Sequence, residues 1–426
     1  LANHQPQSEA AINTKTVAQR RRDLDFYRGF TVAQMVAAHL LMHSAAPVRG
    51  DETFRIFFLA YAYIFSAGFL MLTGVNVDLV IEKAKKIPGF RLTRLYALTA
   101  LGLFFYGWSY NLIEGSGPFI SVVQAIGVGV FFAYLLARIR LPNWAMPFVA
   151  GLFFANYFLA LGAQIEINPQ VRSHFAWHLF AGNGEMTKEA VKSLWPSPYW
   201  FCMFGIIPST GFVIMGLFIE RLRGRKMALA ASVFLILLVV SWLLPMMAYN
   251  PRTQPVIRAD FRFFLQTFAL FTGWLLAFRH IYPKVRESWF TKGVERFGIL
   301  SLDFLVLHWI FIYLARNFTP GLDRLAFSTA QWIRCLLVLA LMWFAVPAFN
   351  AWRKKLEKHR GFLRGMRLAT IIFMVIAVFT SATHLTVVRM FAGAFAALAF
   401  ALMYPAQRAA WRKSSMPGNP IEQKGA

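Results

Sequence analysis

Apolar runs of about 18–22 residues recur from Phe26 to Pro405, and each is long enough to cross a hydrocarbon core roughly 30 Å thick at about 1.5 Å per helical residue. Barrel strands would be half as long and would alternate apolar with polar residues. The pattern therefore predicts an all-α fold, a polytopic transmembrane helical bundle of about 12 spans. They fall near 26–46, 54–75, 92–112, 119–138, 144–164, 199–220, 227–248, 261–282, 298–316, 328–350, 368–385 and 387–405. The chain divides accordingly into a polar segment 1–25, a membrane core 26–350, a basic loop 351–367, a helical hairpin 368–405 and a tail 406–426. No internal repeat relates the first six spans to the last six, although many transporters are built that way.

Composition agrees with a bilayer as the solvent: 58% of the residues are hydrophobic and 15% charged. The net charge of +25 would suggest nucleic acid if it were spread over a soluble surface. Its position along the chain changes that reading. Basic clusters lie at Arg20–Arg22, Lys83–Arg94, Arg221–Lys226, Lys284–Arg296, Arg353–Arg367 and Arg408–Lys413, all in loops on the side of the N-terminus. The opposite loops carry few basic residues, so the positive-inside rule places both termini in the cytoplasm. No basic segment is interleaved with stacking aromatics, so no nucleic-acid partner is expected. The first 25 residues lack an apolar core and a small-residue cleavage site, so no removable signal peptide is expected there.

Two features are weaker. Residues 165–198 form the one sizeable extramembrane segment, and its tryptophans suit either a lid or ordinary interfacial anchoring. His174 and His178 stand one helical turn apart in it, but two histidines without a third ligand do not make a metal site, and no metal is predicted. Cys202 and Cys335 lie in apolar stretches, where cysteine behaves as a small hydrophobic residue.

Ionisable residues inside a membrane are costly and tend to mark function. The first span carries Asp25, Arg28, His39 and His43. At about 100° per residue with Arg28 at zero, Asp25 and His43 fall near 60° and His39 near 20°, so all four share one stripe. The step from Arg28 to His39 is about 16.5 Å along the axis, which puts the arginine at the cytoplasmic mouth and the histidine past mid-membrane. Spacing alone is equally compatible with an Arg28 that snorkels to headgroups, paired with Asp25, and a His39 that serves as a hydrogen-bonding group inside the bundle.

Arg28, ten residues and then His39, in the setting Leu24-Asp25-x-x-Arg28-Gly29, resembles the R-x10-H motif of the acyltransferase-3 membrane proteins. Arg91-x-x-Arg94 looks like that family's R-x-x-R, and Tyr63-Ile-Phe-Ser-Ala-Gly68-Phe69 is similar to its F-x-x-S-G-F pattern, with Ala67 where serine is expected. Gly298-Ile-Leu-Ser301-Leu-Asp-Phe-Leu-Val-Leu-His308 is similar to a late segment in which a serine precedes a histidine. The resemblance covers roughly the first ten spans and extends loosely to glucan succinyltransferases and heparan-glucosaminide acetyltransferases. The last two spans then lie outside a ten-helix acyltransferase core.

The resemblance implies transfer of an acyl group, with acetyl expected, from cytoplasmic acyl-CoA to a glycan or lipid-linked sugar. The expected setting is a bacterial inner membrane. His39 would act as base or acyl carrier, with His43 one turn away as its competitor. Arg28, Arg91 and Arg94 would hold the CoA phosphates, for which guanidinium forks are suited. Asp25 would orient Arg28. His308 is a further catalytic candidate, with Ser301 on the same helical face at about 20° and Asp303 turned away by about 140°. A packed polar contact is the other reading of His308. The competing function class is a transporter or lipid flippase, whose signature of an inverted repeat and coupling carboxylates is only partly present, in Asp303.

Overall fold

The computed structural model describes residues 21–42, 52–87, 89–114, 122–155, 206–222, 224–243, 261–324, 327–359, 361–381 and 386–415. His43, Cys202 and the segment 165–198 with His174 and His178 lie outside the described residues. Among the described residues the chain is helical with short turns and no strand. In chain order the helices are α1 (Arg22–Met42), α2 (Glu52–Lys85), α3 (Leu92–Glu114), α4 (Val122–Arg138) and α5 (Ala145–Ala155). After them come α6 (Ile206–Arg221), α7 (Arg225–Leu243), α8 (Phe261–Val285), α9 (Trp289–Ile299) and α10 (Ser301–Phe318). The chain ends in α11 (Phe327–Leu356), α12 (Phe362–Ser381) and α13 (Thr386–Ser414).

Thr329–Leu356, Phe362–Thr380 and Val387–Ser414 are long and apolar enough to cross a membrane, and α9 with α10 makes a fourth if that bent pair is one broken span. The remaining expected spans rest on the hydrophobic pattern. Several helices run past the expected boundaries: α2 reaches 34 residues, α11 30 and α13 29. Their last turns carry Lys83 and Lys85, Arg353 to Lys355, and Arg412 and Lys413. Lysine and arginine are good helix formers and interact favourably with the negative end of the helix dipole, so the basic clusters extend helices where loops were expected.

Apolar side chains gain little from meeting each other in place of lipid, so helix pairs in a bilayer depend on close packing. Two crossings here are built on glycine. A Cβ on Gly74 of α2 would lie 1.9 Å from the Val213 carbonyl oxygen of α6, and one on Gly216 of α6 would lie 1.9 Å from that of Met71. The second crossing joins α1 to α9: a Cβ on Gly29 would meet the Val294 carbonyl oxygen at 1.8 Å, and one on Gly298 would meet that of Asp25 at 1.8 Å. A third contact is aromatic, with Phe26, Tyr27 and Phe30 of α1 packed on Phe271, Trp274 and Phe278 of α8.

The sequence pattern places residues 283–297 in a cytoplasmic loop, but Trp289–Ile299 forms α9. Ser288 caps it by accepting a hydrogen bond from the Thr291 backbone N–H at 3.1 Å. The chain then turns by 96° between α9 and α10, with Leu300 as the only intervening residue. Trp343 of α11 fills the space over Gly293. At the other side of the molecule α13 packs along α3, where Tyr106 stacks on Phe400 at 4.9 Å and the Arg91 backbone N–H donates to the Ser415 carbonyl at 2.8 Å.

Candidate active site on the first helix

Helix α1 packs on α9 through its first half and on α10 further along, so its polar stripe meets two differently directed helices. At the lower station Asp25 is buried and its Oδ1 accepts a hydrogen bond from Arg28 Nη1 at 3.1 Å. The same nitrogen points at the Gly298 carbonyl oxygen at 3.5 Å. That carbonyl is one of the last in α9, where helix geometry leaves oxygens without an intrahelical donor and the dipole favours a cation. The Gly29–Gly298 crossing holds α9 close enough for this to happen.

At the upper station His39 is half-buried. Its Nδ1 lies 2.7 Å from Nε2 of His308, a fully buried residue of α10. The His39 ring lies nearly parallel to Trp309 at a centroid distance of 4.5 Å and to His308 at 5.0 Å. His308 Nδ1 is 3.2 Å from the Phe304 carbonyl oxygen one turn back. The two histidines, 269 residues apart in the chain, thus form one hydrogen-bonded pair walled by an indole.

The other expected site residues fall elsewhere. Ser301 starts α10 directly after the bend, about 10 Å along the axis from His308, beyond direct hydrogen bonding to that ring. Asp303, turned away from His308 as its spacing indicates, forms a buried ion pair with Arg353 of α11, which also donates to Asn350 at 2.6 Å. Arg91 and Arg94 are exposed at the start of α3. That helix packs mainly on α4 and α13, whereas α1 packs on α9, α2, α11, α8 and α10, so Arg28 and the arginine pair belong to different packing neighbourhoods. Cys335 is buried in the apolar core, as its sequence context indicates.

Sequence reasoning missed three things. Trp309 faces α1 rather than lipid, and only its adjacency to His308 hinted at that. The Asp303–Arg353 pair joins residues from two spans with no shared motif. A cleft of about 370 Å³ at the start of α1 is lined by Arg21, Arg22, Arg279 and Arg286 together with Asp23 and Glu287. Its charges are matched internally: Arg21 pairs with Asp23 at 2.7 Å and Glu220 at 3.1 Å, Arg279 with Glu220 at 2.5 Å and Arg22 with Glu295 at 3.4 Å. The hydrogen bonds that Arg21 donates to Asp23 raise its pKa above the ordinary value. Glu220, the last residue but one of α6, is the buried hub of this network.

A family model for the heparan-alpha-glucosaminide N-acetyltransferase catalytic domain matches residues 20–233, half of the chain, and that half contains Asp25, Arg28 and His39 of α1. The chain belongs to this family. It is therefore an acetyltransferase-family enzyme and a membrane protein. The branch shown is the heparan-alpha-glucosaminide N-acetyltransferase one and not acyltransferase-3 specifically. The matched segment of this acetyltransferase-family chain ends in α7, so His308, Trp309 and the Asp303–Arg353 pair all come from the unmatched half. No curated protein matches the chain.

Proposed function

We propose that the protein is a multi-pass membrane acetyltransferase that moves an acetyl group from cytoplasmic acetyl-CoA to an amine or hydroxyl of a glycan or lipid-linked sugar. The observation that carries this is the position of His39: in the family-matched segment, about three helical turns above Arg28, and hydrogen-bonded at 2.7 Å to a fully buried histidine. A neutral imidazole so placed removes the proton of the attacking acceptor, or carries the acyl group itself, and a base in this position contributes about 10²–10⁴-fold. Arg28, Arg91 and Arg94 on the cytoplasmic side take the CoA phosphates, the arrangement that the acyltransferase-3 resemblance implies, with Asp25 holding Arg28 in place. Both termini face the cytoplasm, in a bacterial inner membrane, on the sidedness of the basic clusters.

The test is acetyl transfer by the purified protein in sealed proteoliposomes of known orientation, with labelled acetyl-CoA supplied outside and amino-sugar glycans as acceptors. We expect label on the glycan only when the surface bearing the termini faces the donor. Equal transfer in both orientations overturns the sidedness. Glycan or lipid movement without any acyl transfer overturns the enzyme reading in favour of a transporter.

A further inference from the structure

We propose that His308 is a positioning residue that fixes the tautomer of His39, so that Nε2 of His39 is the nitrogen that does the chemistry. The proposal rests on the reading of His39 as the acid–base or acyl-carrying group, and it deepens that reading to the level of a single atom.

The inference follows from hydrogen-bond roles. A carbonyl oxygen only accepts, so the 3.2 Å contact between His308 Nδ1 and the Phe304 carbonyl is attractive only if the proton sits on His308 Nδ1. A neutral imidazole carries one N–H, so the His308 Nε2 then bears a lone pair. That lone pair faces His39 Nδ1 at 2.7 Å, and two lone pairs would repel at this distance. His39 Nδ1 therefore carries the proton and donates it to His308. In a neutral pair the remaining lone pair of His39 falls on Nε2.

The fold makes this chain of donors rigid. Phe304 and His308 lie one turn apart on α10, both fully buried, with their rings stacked at 6.0 Å. The start of α10 is set by the 96° bend after α9 and by the Asp303–Arg353 pair to α11. Trp309 limits the tilt of the His39 ring from its flat face.

The resulting step balances without a further reactant. As the acceptor nitrogen or oxygen attacks the thioester carbonyl, its proton passes to His39 Nε2. When the new C–N or C–O bond is complete the C–S bond breaks, and the departing thiolate takes that proton. His39 Nδ1 keeps its own proton throughout. The hydrogen bond to His308 strengthens while the imidazolium exists, because a charged donor bonds more strongly than a neutral one.

The experiment reads the tautomer directly by nitrogen-15 NMR of histidine-labelled protein in lipid nanodiscs, with the His39 signals assigned by their loss in His39→Gln. We expect the Nδ1–H form of His39 in the native protein and its conversion to the Nε2–H form, which a free histidine side chain prefers, in His308→Phe. In acetyl transfer His308→Phe should lower kcat on the order of 10²-fold with the donor KM unchanged. His308→Gln, whose amide oxygen can stand where Nε2 stood, should restore most of it. An Nε2–H His39 in the native protein, or a doubly protonated His308, overturns the proposal. If the Nδ1–H form is found but His308→Phe turns over normally, the positioning role in catalysis falls. If His39→Gln also turns over normally, the assignment of His39 as the reacting residue falls with it.

Discussion

The two polar stations of α1 lie on one stripe of one helix, yet they are held by different physics. The lower one is ionic: Asp25 and Arg28 pair with each other, and the arginine lies against the carboxyl end of α9. The upper one pairs two rings, His39 and His308, under an indole. A charge at the membrane surface can be satisfied by many partners, including water and headgroups. A titratable ring inside the bundle depends on the particular atoms that face it. The lower station therefore suits the holding of an anionic donor, and the upper suits the handling of a proton.

The largest expected effect separates the stations by kinetics. His39→Ala should lower kcat by about 10²–10⁴-fold with little change in donor affinity. Arg28→Ala should weaken donor binding by about 1.5–3 kcal/mol, one to two powers of ten, with a smaller effect at saturating donor. Steady-state kinetics over a donor titration, on variants shown to be folded, decides it. If the two variants show the same split, the stations do not have separate roles.

The next effect tests what holds α10 in place for the upper station. Asp303→Ala leaves the Arg353 charge buried without its main partner, for which breaking a buried pair costs about 3–5 kcal/mol. Glu357 remains at 3.6 Å, so a value near the lower end, about 3 kcal/mol, is expected. Replacing both partners, as Asp303→Leu with Arg353→Met, should recover most of the stability. Thermal unfolding in detergent measures this. A double variant no better than the single one means that the pair acts through something other than its charge.

The smallest effect concerns the close crossing that holds the lower station. Gly298→Ala puts a methyl group where the Asp25 carbonyl oxygen lies 1.8 Å away, so the helices must separate, at about 1–3 kcal/mol. Gly321→Ala, with nothing within 4 Å of the added carbon, serves as the control. The Gly298 variant should also weaken donor binding more than it lowers kcat, because it moves Arg28 before it moves His39. Equal stability of the two alanine variants would show that the crossing tolerates more space than its geometry indicates.

Much of this was legible in the order of residues. The apolar runs called for helices in a membrane, the 3.6-residue period put Asp25, Arg28 and His39 on one stripe, and the offset of Asp303 from His308 ruled against a dyad between them. Those are local properties, set within one helix by geometry that every helix shares. That Trp289–Ile299 forms a helix of its own was not legible, because the basic residues of 284–296 read as a cytoplasmic loop before a span beginning near 298. Nor was the meeting of His39 with His308, which depends on α9 turning through 96° so that α10 arrives beside α1. Periodicity says which side of a helix is polar, but only packing says which other helix that side meets. The sequence by itself determined that Asp25, Arg28 and His39 share one stripe of the first helix; the tertiary structure decided the partner of His39, because that partner is brought in by a glycine crossing and a sharp turn more than two hundred and fifty residues further along the chain.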